Sequence, residues 1–157
     1  MANPARKSFE IKTAQQYFEE LLRPAHAEFL QDALSSRKAI ACAIFAWHLR
    51  DWIWAGHKNQ LRSAHQLKEL RQFDRHLFAK CPELELIQEI ATGSKHFEGD
   101  GTAITESGLV HGFAGLPLIF TQSHLVVNAG GTVHFAGNLL TRAVSYWEEF
   151  LKGFPSP

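Results

Sequence analysis

The chain has 157 residues, 45% of them apolar, with 16 basic and 16 acidic side chains. That length suits one domain with its own core, and zero net charge supplies no global field to recruit nucleic acid or an anionic membrane. Two cysteines are too few for a disulfide scaffold, so Cys42 and Cys81 read as reduced thiols of a cytoplasmic protein.

Residues 1–12 read as a polar N-terminal tail without an apolar leader, and residues 13–157 as a single helical domain. Its core helices fall in 13–96, a β-rich segment in 97–137, and a closing helix in 138–152. Thr13-x-x-Gln16 is a capping-box pattern that opens a first helix, and Pro24 is expected to kink or split it. Ser35-Ser36 is expected to end it. A second helix runs from Arg37 to His57, with Gly56 and Asn59 favouring termination there. Ser63-x-x-Gln66 is a second capping pattern, read as opening a third helix to about Lys80. Pro82 suits the first position of a fourth helix, ending near Lys95 and His96.

Glycine then replaces helical periodicity. Leu109-Val110 and residues 117–121 read as short strands. His124 to Phe135, turning at Asn128-Ala-Gly-Gly131, reads as a β-hairpin with His124 and His134 facing each other. Asn138 is placed to cap a last helix whose stripe is Leu140, Val144, Trp147 and Leu151. The fold class is mainly α: a four-helix bundle-like core, a small Gly-rich β-hairpin appendage and a C-terminal helix.

The Arg37–His57 helix carries the main conflict. Its apolar residues fall on both sides, with Ile40, Ile44, Trp47 and Trp54 on one and Cys42, Ala46, Leu49 and Ile53 on the other. A helix apolar all round is usually central. This one also holds His48, Arg50, Asp51 and His57, which are costly to bury unpaired. His48 and Asp51 share a helix face and suit metal binding, with His26 or His96 as further ligands. The plainer alternative pairs Asp51 with a Trp or Arg inside the protein. Trp47 and Asp51 are both expected to be largely buried. Lys95 and His96, at the end of the fourth helix, are expected to approach the His48/Asp51 face and form one polar binding cleft.

Arg50-Asp51-x5-His57 resembles the Arg-polar-x-His signature of the HEPN superfamily. The resemblance implies a dimeric helical bundle and an RNase in which Arg50 and His57 are catalytic. The alternative for these two residues is a snorkelling arginine and a helix-terminal histidine. The Trp/His-rich second helix, Ala91-Thr-Gly-Ser-Lys-His96, the hairpin and Tyr146-Trp-Glu-Glu-Phe150 together resemble a group of small uncharacterised bacterial helical proteins. That resemblance implies no activity. A metal-dependent bundle built on His48 resembles the DinB type, whose paired later histidines are missing here.

These readings converge on a binding or protein-interaction module with its polar site on the central helix. The expected partner is a second copy of the chain. A small ligand or RNA, a cofactor and a metal are left open, and no membrane is expected.

Overall fold

The computed structural model describes residues 10–93, 103–107, 124–129 and 131–154. The chain is mainly α. Helix α1 (Ala14–Tyr17) opens at Thr13, whose Oγ1 accepts the Gln16 backbone N–H at 3.1 Å. The Gln16 side chain reaches back to accept from the Lys12 backbone N–H at 2.8 Å. The helical run continues through Pro24, but its bonding pattern changes just before the proline. A π turn (Phe18–Leu22) leads without a break into α2 (Arg23–Gln31), which holds Pro24 in its first turn. A proline ring crowds the carbonyl four residues back. Here the Arg23 N–H bonds to the Phe18 carbonyl five residues back, so the turn is widened where that crowding occurs.

Ser35 opens α3 (Ser36–His65), its Oγ accepting the Lys38 N–H at 3.3 Å. This helix is longer than the spacing predicts. It passes Gly56 and one irregular residue, His57 (φ −124°, ψ 20°), and stops at Gln66, which is left-handed at φ 55°. Ser63 and Gln66 therefore form no capping box. Ser63 Oγ donates to the Gln60 carbonyl instead, and Glu69 with Gln72 caps α4 (Leu70–Lys80). Helix α5 (Glu83–Gly93) follows Pro82 as expected.

Helix α3 is central, packing against α1, α2, α5 and α6 (Ala136–Lys152). Cys42, Ala46, Leu49 and Ile53 are fully buried on one side. The other side takes α4: Trp47 stacks on Phe78 and Trp54 on Phe73, each with centroids 5.9 Å apart. The expected α6 stripe is buried, with Trp147 wholly enclosed. Each such large apolar side chain contributes about 1.5–3 kcal/mol on burial. Asn138 lies inside α6 rather than at its cap; Phe135 holds the cap position without a side-chain bond.

Strands β1 (Ala103–Ser107), β2 (His124–Ala129) and β3 (Thr132–Phe135) form an antiparallel sheet in that order. The hairpin lies where its turn residues place it, with Ala129 opposite Thr132 and Gly131 at φ 84°. Strand β1 is unforeseen, and the strands expected at 109–110 and 117–121 lie outside the described residues. Paired residues share a face. Val127 pairs with His134 toward the core, while Val126 pairs with Phe135 on the opposite face. His124 and His134 consequently lie on opposite faces, and His124 packs on Phe135 at 5.0 Å.

Candidate functional site

The polar groups of α3 meet α4 between the two aromatic stacks. Arg50 lies one residue before Asp51 and faces Asp74 of α4. Its Nη1 is 3.0 Å from both carboxylate oxygens of Asp74, and its Nη2 donates to Asp51 Oδ1 at 2.8 Å. The guanidinium also covers the Trp47 ring, 4.2 Å from its centroid. Arg50 and Asp74 are mostly buried, with side chains 14% and 18% exposed. Asp51 is 49% exposed, which corrects its expected burial; Trp47 is buried as expected. A guanidinium shared by two carboxylates and stacked on an indole has little positive field left for a phosphate.

His57 is held elsewhere. Its Nδ1 lies 2.9 Å from Gln60 Oε1, and its ring packs on Phe154 at 5.3 Å. Arg50 is bonded to Asp51 and Asp74 and covers Trp47, whereas His57 is bonded to Gln60 and packs on Phe154. These two sets of partners share no residue. His48 is half-buried. His26, the candidate further metal ligand, is tied by Nε2 to Thr141 Oγ1 at 3.0 Å, linking α2 to α6, and burial lowers its pKa. Among the described residues no three His, Cys, Asp or Glu side chains converge as metal ligands. Lys95 and His96 lie outside the described residues, as does the cleft expected to join them to His48 and Asp51.

A second site has no counterpart in the sequence motifs. A cleft of about 240 Å³ opens where the hairpin meets α5 and α6. Glu83, His134, Asn138 and Arg142 supply its polar lining, and Val133, Phe135 and Leu139 its apolar lining. Arg142 Nη1 donates to Glu83 Oε1 at 2.7 Å, and this bond holds the Glu83 carboxyl below its ordinary pKa. Cys81 Sγ donates to the other carboxylate oxygen at 3.4 Å; burial, then that bond, pushes the thiol up to about 11. Val133 and Phe135 remain 60% and 46% exposed. Glu83 and Arg142 are 59 residues apart, so no local spacing marks the pair. The alternation of Val133 and Phe135 on β3 is the one signal that points to the cleft.

Among the described residues no helix is long and apolar enough to cross a membrane. No protein-family model, curated protein or solved structure matches the chain.

Proposed function

We propose that this protein is a non-catalytic interaction module that receives an extended segment of a partner polypeptide beside β3. The observation that carries this reading is the exposure of Val133 and Phe135 at the mouth of the hairpin cleft. Large apolar side chains clustered at a polar-rimmed concavity suit a binding surface. Strand β3 is an edge of the described sheet, and an edge strand offers main-chain donors and acceptors to an added strand. Glu83 and Arg142 at the rim would fix direction and charge preference. The commitment of Arg50 to Asp74 and Asp51 supports a bracing role for the α3 polar cluster over the RNase reading through Arg50 and His57. A cytoplasmic setting accords with two free, buried thiols.

Selection of displayed random peptides on the immobilised full chain tests this. Phe135→Asp is a suitable control because aspartate at a helix N-cap favours the helix. The expected result is enrichment of peptides with alternating apolar residues, whose binding Phe135→Asp abolishes and Asp51→Ala preserves. Equal binding to Phe135→Asp would overturn the reading. So would RNA cleavage lost in both Arg50→Ala and His57→Ala, which would establish the nuclease instead.

A further inference from the structure

A second groove lies on the far side of α2, between the π turn and α2 on one wall and the start of α3 on the other. The first wall carries Glu20 and Glu28; the second carries Arg37 and Lys38. The floor between them is apolar, formed by Leu21, Ala25, Ala41 and Phe45. Charge is thus segregated across the groove, with acid on one side, base on the other and an apolar strip in the middle. Glu20, Glu28 and Arg37 form no ion pair with another described residue, whereas Lys38 is bonded to Asp32 at 3.1 Å. Beyond the end of the groove, Leu30 and Leu34 are 54% and 39% exposed.

Arg37 stands in the first turn of α3, where the helix dipole disfavours a cation and no acidic residue offsets it. Local helix energetics do not explain that placement. A partner carboxylate would.

We propose that this groove is the interface of a homodimer, formed with a second copy of the chain about a two-fold axis lying along the groove. Rotation about such an axis exchanges the two walls and keeps the position along them. The acidic wall of one protomer then meets the basic wall of the other, with Glu28 opposite Arg37 of the second copy, and the same pairing repeats across the axis. The apolar floors face each other between these rows. A two-fold axis across the groove would set acid against acid, so the charge pattern selects one of the two arrangements. The proposal is independent of the peptide site beside β3, which uses another face.

The test is the solution mass of the full chain by light scattering, with two charge reversals. Glu28→Arg and Arg37→Glu each suit the local helix dipole, since Glu28 is near the end of α2 and Arg37 at the start of α3. The wild-type chain should show twice its 17.7 kDa mass. Each single reversal creates two like-charge contacts and should give monomers with unchanged far-UV circular dichroism. Mixing the two variants in equal amounts restores both contacts. The arginine introduced at position 28 of one variant then faces the glutamate introduced at position 37 of the other, and the unaltered Arg37 faces the unaltered Glu28. The mixture should regain the dimer mass. A monomeric wild type, a dimer unmoved by either reversal, or a mixture that stays monomeric would each overturn the proposal.

Discussion

Arg50 and Asp74 join α3 to α4 through one guanidinium nitrogen placed 3.0 Å from both carboxylate oxygens, in the gap between the Trp47–Phe78 and Trp54–Phe73 stacks. Asp51 touches the same guanidinium from its wet side. The two carboxylates have the same partner but different surroundings, and their worth should differ accordingly.

Asp74→Ala leaves a mostly buried guanidinium short of its main acceptor, and should cost about 1–3 kcal/mol. Asp51→Ala removes a half-exposed partner and should cost less than about 1 kcal/mol. Urea midpoints of the two variants measure the difference. Equal losses would show that burial does not separate them.

Two histidines should make stability fall on acidification. His26 is lowered by burial, and His76 is lowered by burial, by the adjacent His65 ring 5.1 Å away, and by Lys80. A depressed histidine pKa means that the unfolded chain takes up the proton first, near its ordinary value of 6.5. Stability is therefore level above that value and declines as pH drops below it. His76→Gln should flatten part of the decline in melting temperature between about pH 7 and 5. A wild-type melting temperature constant over that range would contradict both assignments.

The thiols should be inert in the folded protein. Burial pushes Cys42 up to about 12 and Cys81 up to about 11, so neither supplies thiolate at neutral pH. A disulfide-exchange reagent should find no fast-reacting group in the native chain and two after unfolding. Detecting none in the unfolded, unreduced chain would overturn the reduced state.

Gln66 ends α3 in a conformation that glycine adopts without penalty. Gln66→Gly should hold stability or raise it by up to about 1 kcal/mol, because relief of the left-handed cost outweighs the added chain entropy. A clear loss in a thermal melt would mean that the glutamine side chain contributes more than its backbone costs.

Local signals in the sequence are legible. Thr13 with Gln16, Pro82 ahead of α5, the α6 stripe and the glycine turn of the hairpin each act within a few residues. The Ser63–Gln66 pattern misleads because a serine hydroxyl inside a helix can bond back to a carbonyl of the preceding turn, as Ser63 does to Gln60. Asp51 misleads for another reason: the apolar pattern all round the helix implies burial, but Arg50 covers the Trp47 ring and leaves Asp51 at the edge. Asp74 carries no signal of its own, since only the docking of α4 brings it to Arg50 across 24 residues. The same holds for Glu83 and Arg142 in the hairpin cleft.

The irregular backbone at His57 divides α3 into unequal parts. The part before it contains seven of the helix's eight buried residues; the part after it contains only Leu61. A helix normally propagates order from turn to turn, and a residue outside helical dihedrals weakens that propagation. The outer arm should thus open by itself, as a small cooperative unit below the global unfolding free energy. Amide exchange would register this as a step in protection, with residues 58–65 exchanging well before residues 40–53. The longest of the described helices would then behave, in time, as two.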